Sequence, residues 1–255
     1  MDDMDRSLHF SILGWRAWAP GLVSEQDWRQ WLSEGQRPSG EERADVSFLP
    51  PMQRRRLGPM ARSVFHVVRD CLQEDDAQIP MVFASRHGEL ARSYGLLESL
   101  ARREGLSPRD FSLSVHNAIL GLYSIQYANR EAVSAVAAGL DTLPTGLMEA
   151  VVQAHARQGD CLFVWAEQKL PDFYLPYVPD DSPQVCLALH IAPPTSGPSG
   201  QGFRLALGSP ALNDGGDGSE QTLNETAVLQ AFMTGLLSGG AAWQTGLRQW
   251  RLEPS

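Results

Sequence analysis

Residues 9–15 (His-Phe-Ser-Ile-Leu-Gly-Trp) interleave polar and apolar side chains at a short period, which predicts a strand over 7–14 that is broken at Pro20-Gly21. Ser24 then stands where a helix N-cap belongs, ahead of Trp28, Trp31 and Leu32, and a polar loop with proline and glycine follows over 35–45. Over 58–73 the spacing changes to threes and fours: Met60, Val64, Val67, Val68, Cys71 and Leu72 mark one face of a helix. The short apolar run 79–85 reads as a strand. After it, Leu90, Tyr94, Leu97 and Leu100 belong to a helix that ends by Gly105. Ser107-Pro108 starts another segment, and 114–118 opens a helix with Ile119, Leu122, Tyr123 and Tyr127 at helical spacing. A strand over 131–135 leads to a further helix, which Asp141 or Thr142 can cap, with Pro144 in its first turn and Gly159 just past its end. The runs 161–166 and 184–191 are apolar almost throughout, as in central strands covered on both faces.

Five strands with helical connections predict an α/β domain over 1–192, an open mixed sheet with helices on its faces. Pro193-Pro194 and a Pro/Gly/Ser-rich linker lead to an extension over 193–255 that packs on the same domain. It comprises a strand over 203–208, an acidic glycine-rich turn over 213–219, a helix capped by Asn224, and a last strand over 247–252. That helix carries Val228, Leu229, Phe232, Met233 and Leu236 on one face and stops at Gly239-Gly240. There is no internal repeat.

Composition narrows the functional classes. With 255 residues, 43% hydrophobic and 20% charged, the chain has the balance of a soluble globular protein with a sizeable core. No apolar run reaches the ~20 residues that a spanning helix needs, and the acidic start Met1-Asp2-Asp3-Met4-Asp5 is unlike a secretory signal, so a cytoplasmic location is expected. A net charge of −9 argues against nucleic-acid and anionic-membrane binding. The dense basic run Arg54-Arg55-Arg56, with Arg62 after it, is either a solvated face or a docking site for a phosphate-bearing acidic partner. Cys71, Cys161 and Cys186 lack disulfide or zinc spacing and read as buried thiols, so neither metal nor cofactor is expected. No hydrolase elbow, dinucleotide loop, Walker lysine or calcium loop is present. Ser85, His87 and Glu89 hold acid–base groups on a loop that reads as a polar surface feature.

The segment Ser134-Ala135-Val136-Ala137-Ala138-Gly139-Leu140-Asp141 runs from a strand into a helix, a turn where backbone N–H groups and the helix dipole could lower a thiol pKa. It resembles the nucleophile region of β-ketoacyl synthases, where a cysteine precedes small residues and a glycine. The tail of that pattern stands here as Ala137-Ala138-Gly139-Leu140-Asp141, and the cysteine's place falls on Val136. Chain-length-factor subunits of type II systems also lack this cysteine.

The resemblance implies the N-terminal half of a thiolase-like fold over about residues 8–192. It leaves no room for the second half, which supplies ketosynthase histidines. It further implies a non-catalytic subunit of the aryl-polyene type, paired as a heterodimer with a catalytic ketosynthase and reaching acyl carrier protein through that complex. The strand bearing Glu131, Ala132, Val133, Ser134 and Ala135 would join the partner's sheet. His116 and Asn117 would cap or line the substrate pocket, and Leu120, Tyr123 and Leu140 would set tunnel length. Arg54, Arg55, Arg56 and Arg62 would dock the carrier. Two other readings stand beside this one: a free-standing acyltransferase or thioesterase using Ser134 or Cys161, and a homodimeric acyl-binding scaffold.

Overall fold

The structure is a computed structural model, and it describes residues 7–34, 38, 40, 42–72, 78–178, 183–194, 200–208, 224–245 and 248–255. The acidic start, most of the linker and the 213–219 turn lie outside the described residues.

Eight strands form one sheet. In chain order they are β1 (Ser7–Trp18), β2 (Met81–Ala84), β3 (Val133–Val136), β4 (Cys161–Glu167), β5 (Val185–Ala192), β6 (Gln201–Gly208), β7 (Ala241–Thr245) and β8 (Arg248–Pro254). Their spatial order is β3-β2-β4-β5-β1-β6-β8-β7. β2 runs parallel to both β3 and β4, and every other pairing is antiparallel. The first five strands are those the sequence predicts. The 193–255 segment does more than pack on their sheet: β6 pairs with β1 and continues it, and β8 and β7 follow. β7 has no counterpart in the sequence reading, because Gly239-Gly240 before it reads as a helix stop and Ala241-Ala242 carries no strand signal.

Helices cover both faces. They are α1 (Glu25–Glu34), α2 (Pro51–Arg54), α3 (Pro59–Cys71), α4 (Leu90–Ala101), α5 (Pro108–Ser112), α6 (Ala118–Tyr127), α7 (Thr142–Arg157) and α8 (Glu225–Ser238). Alternation along the central strands splits the core in two. Cys161, Phe163 and Trp165 of β4 join Leu147 of α7, Trp28 of α1 and Phe232 of α8 on one face. Leu162, Val164 and Ala166 join Val64 of α3 and Tyr123 of α6 on the other. Both β4 and β5 are buried along their whole length, which accounts for their unbroken apolar runs.

Local rules hold at several helix ends. The Ser24 hydroxyl accepts from Asp27 N–H at 3.2 Å while the Asp27 carboxylate accepts from Ser24 N–H at 2.7 Å, a reciprocal cap on α1. Asn224 caps α8 by accepting from Ala227 N–H at 2.8 Å. At the end of α7 the left-handed residue is Gln158 (φ 52°), one place before the expected Gly159. α7 also comes very close to the sheet at Gly146, where a Cβ would lie 2.5 Å from that of Ala84.

Candidate functional site

β3, β2 and β4 are parallel, so their carboxyl ends gather Val136, Ala84-Ser85 and Glu167 at one edge of the molecule, where α/β sheets place their sites. Val136 is the last residue of β3. It is half-buried and packs against the α7 face of the core. Its carbonyl accepts from Ser85 N–H at 3.1 Å. The turn that follows puts Gly139 at φ 61° and passes through a 3₁₀ segment, Gly139–Asp141, into α7. Its hydroxyl serves the backbone: Thr142 Oγ1 accepts from Ala138 N–H at 2.9 Å and donates to the Gly139 carbonyl at 2.7 Å.

Asp141, expected as a possible cap, makes no side-chain cap. Instead it reaches the C-terminal hairpin. Its carboxylate accepts from Trp250 Nε1 at 2.7 Å, from Arg248 Nη1 at 3.0 Å, and from the Thr245 hydroxyl. Such long-range pairing across more than a hundred residues has no local sequence signal.

The loop after β2 is not the polar surface that the sequence suggests. Ser85 is fully buried and Glu89 nearly so. Ser85, His87 and Glu89 do not converge on each other: Ser85 and His87 meet acidic residues of β4 and α8, and Glu89 pairs with Arg92 of α4 at 3.4 Å. Fully buried Glu167 accepts from Arg86 N–H, from the Ser85 hydroxyl at 3.3 Å and from His87 N–H at 3.5 Å. Glu225, in the first turn of α8, accepts from Arg86 Nη1 at 3.3 Å and lies 3.8 Å from His87 Nε2. Burial, reinforced by the Glu225 charge, pushes the Glu167 carboxyl well above its ordinary range. Burial also lowers His87 to about 4, helped by Arg86 and His116, so its imidazole is neutral near pH 7. Glu89 is raised by burial against the opposing charge of Arg92. Glu167 and Glu225 were missed in the sequence. A charged residue closing a wholly apolar strand was the available signal for Glu167.

His116 Nε2 lies 2.6 Å from the Ser85 carbonyl, so Nε2 carries the proton, and its ring rests against Gly88 (φ 55°). Asn117 is exposed and its side chain caps nothing. Leu120 and Tyr123 are fully buried on the α3–α6 face, opposite to the face on which Val136 packs. Leu140 is half-buried in the turn after β3. The structure therefore puts Leu120 and Tyr123 on the face of the sheet opposite to Val136.

The strand containing the edge residues starts at Val133, two places later than predicted. Val133 and Ala135 are exposed, while Ser134 accepts from Gln153 Nε2 at 2.9 Å. Glu131, before the strand, pairs with Arg157 at 2.5 Å. Among the described residues, no histidine or carboxylate is hydrogen-bonded to Ser134. Cys161 is buried in β4, and desolvation raises its thiol to about 12, which removes the thiolate a nucleophile needs. Of the arginine run, Arg55 and Arg56 are exposed and Arg54 is half-buried. Arg62, in α3, lines a cleft of about 380 Å³ with Arg43 and Gln184. Among the described residues, no group of three or more His, Cys, Asp or Glu side chains is placed to hold a metal ion, and no helix is long and apolar enough to cross a membrane.

The family description "Beta-ketoacyl synthase, N-terminal domain" matches residues 28–252. The chain belongs to this family. Its fold is thiolase-like, as in the ketosynthases that resemble it. A chain of the complex of the ketosynthase ApeO with its chain length factor ApeC, from Xenorhabdus doucetiae, is 28% identical with a TM-score of 0.78, over 96% of this chain and 99% of that one. The ishigamide ketosynthase/chain length factor is 13% identical with a TM-score of 0.62, over 81% and 69%. Ketosynthase twelve of the bacillaene polyketide synthase in Bacillus amyloliquefaciens is 11% identical with a TM-score of 0.56, over 82% of this chain and 46% of that one. No curated protein sequence matches significantly.

Proposed function

We propose that this chain is a non-catalytic, chain-length-factor-like subunit that pairs with a catalytic β-ketoacyl synthase and shapes its acyl tunnel, in a cytoplasmic fatty acid, polyketide or aryl-polyene pathway. The observation that carries this reading is the hydrocarbon side chain of Val136 at the end of β3, where the family resemblance puts the acyl-accepting sulfur. Val136 cannot form a thioester. The neighbouring hydroxyls of Ser134 and Thr142 are engaged with Gln153 and the backbone, and the thiol of Cys161 is shut inside the sheet.

Two further observations support pairing. β3 is an edge strand with exposed Val133 and Ala135, which leaves one side of its backbone free for another strand. The segment between β2 and β3 also exposes large apolar side chains, among them Leu97, Leu100, Phe111, Val115 and Ile125, and α4 buries none of its residues.

Co-expression with ketosynthases encoded nearby, followed by size-exclusion chromatography and malonyl-dependent elongation, tests the proposal. A stable heterodimer whose product length changes when Leu140 is enlarged to tryptophan is expected. A monomer that neither copurifies with nor alters any ketosynthase, or an acyl adduct on this chain with turnover, would sink it.

A further inference from the structure

α8 is tied to other segments near both of its ends, and the two ties differ in kind. Near the carboxyl end, Arg29 Nη1 donates to the Leu237 carbonyl at 2.9 Å, an exposed contact. At the amino end, Glu225 is buried against the loop after β2, where Arg86 and His87 each face two carboxyl groups. Arg86 gives its backbone N–H to Glu167 and its Nη1 to Glu225 at 3.3 Å. His87 gives its backbone N–H to Glu167 at 3.5 Å and holds its Nε2 3.8 Å from Glu225. β4, the β2–α4 loop and the first turn of α8 thus meet at one buried point, at the carboxyl ends of the parallel strands. His116, from the segment before α6, faces the same point beside His87 and fixes the loop through the Ser85 carbonyl at 2.6 Å.

Charge counting decides how this point is protonated. Arg86 brings one positive charge, while Glu167 and Glu225 bring two negative charges when both ionise, so with a neutral His87 the cluster is balanced only if one carboxyl keeps its proton. Glu225 is the better anion, because it opens α8, where the helix dipole and the Arg86 guanidinium both favour negative charge. Glu167 receives neutral donors instead: the Arg86 N–H at Oε1, and at Oε2 the Ser85 hydroxyl at 3.3 Å and the His87 N–H at 3.5 Å. Both contacts at Oε2 are long, and the Ser85 hydroxyl can accept as readily as it donates, so Oε2 is the oxygen suited to carry the proton. Burial and the Glu225 charge push the Glu167 carboxyl in the same direction. We infer that Glu167 and Glu225 form a proton-operated latch: a proton on Glu167 Oε2 keeps the first turn of α8 fastened to the β2–α4 loop, and its loss to base sets two buried negative charges against one guanidinium and frees that turn. Arg29 and the packing of Phe232 on Trp243 hold the rest of α8, so the opening is confined to its amino end. The latch is intrinsic to this chain, whichever partner it has.

The experiment combines infrared spectroscopy with amide hydrogen exchange on the full chain, together with whatever subunit copurifies. At neutral pH the wild type should show the carbonyl band of a protonated carboxyl that Glu167→Gln removes, and subtracting the variant's spectrum cancels any contribution from Glu89, which is also buried. Raising the pH should erase that band and, over the same range, speed exchange of the Ala227 and Val228 amides at least about tenfold beyond base catalysis, while amides near Leu236 stay protected. Glu167→Gln keeps a neutral side chain at every pH and should abolish the acceleration. Glu225→Gln removes the opposing charge, so Glu167 should ionise at lower pH and its band should fade earlier in the titration. If Glu167→Gln disturbs folding, the wild-type titration and its shift in Glu225→Gln still decide the matter. The latch is overturned by identical carboxyl bands in wild type and Glu167→Gln at neutral pH, by a band that Glu225→Gln leaves at the same pH, or by α8 exchange that follows base catalysis alone. None of these readouts requires a ketosynthase, so their failure and the failure of heterodimer formation are read separately.

Discussion

The two edges of the sheet are built on opposite principles. At the β7 edge, Trp243 and Thr245 are buried, Trp243 sets its ring edge-on against Phe232 of α8 at 6.3 Å, and Thr245 is tied to Asp141. At the β3 edge, four residues alternate between half-buried and exposed, and among the described residues no strand lies beyond them. The side chains of the β7 edge are packed by its own chain, although its outer backbone, like that of β3, has no strand beside it among the described residues. The other carries small and aliphatic side chains beside an unused row of backbone donors and acceptors, with none of the lysines or prolines that keep such edges from pairing. The contrast directs any test of the proposed pairing to the β3 edge, whose side chains are left uncovered and whose sequence resembles a ketosynthase.

The sharpest way to break the comparison is at the closed side. Trp250→Ala empties a fully buried site and removes a donor from Asp141, and should cost about 3–5 kcal/mol in chemical denaturation of the lone chain. Asp141→Ala leaves three donors without their acceptor and should cost about 2–3 kcal/mol, with most of the loss from Trp250 and Thr245, because the Arg248 partner is half exposed. If Asp141→Ala changes stability by less than about 0.5 kcal/mol, the hairpin is not anchored at the turn after β3. Gly146→Val, which forces a side chain into Ala84 and Phe163 where α7 meets the sheet, should cost about 1–3 kcal/mol.

At the open side the expected effect reverses. Ala135→Lys should shift the lone chain's stability by no more than about 0.5 kcal/mol, yet abolish copurification with a ketosynthase. Unchanged pairing would exclude β3 from the interface. The smallest effect is in pH. Glu167 has its folded pKa raised, so the stability it contributes is complete below the ordinary glutamate range and is lost as pH rises through the folded value. His87 has its folded pKa lowered from 6.5 to about 4, so its contribution is complete above 6.5 and is lost as pH falls towards 4. Denaturation across pH 4–8 should therefore show opposing slopes, and Glu167→Gln should reduce the alkaline one, to which Glu89 also contributes.

What the sequence made legible follows from range. Helix caps such as Ser24 and Asn224, the apolar strands β4 and β5, and the strand-to-helix turn at Val136 are all set by neighbours a few residues apart. The first five strands could be read for that reason. β7 could not, because it earns its place only by pairing with β8 and packing Trp243 under α8. Likewise Ser85 and His87 look like surface chemistry until Glu167 and Glu225 meet them from distant segments, while Glu89 is buried beside Arg92. Helical spacing picked out Ile119 and Tyr123, which are buried, but not Leu120, and which face of the sheet they cover depends on the crossover that carries α6 to the side away from α7.

The Asp141 contact has a consequence for biogenesis. Its three donors follow it by 104 to 109 positions, so a nascent chain emerging from the ribosome exposes the β3 edge well before the segment that secures the adjacent turn has been synthesised. Assembly with another polypeptide during translation would meet that edge while the turn beside it is still unanchored.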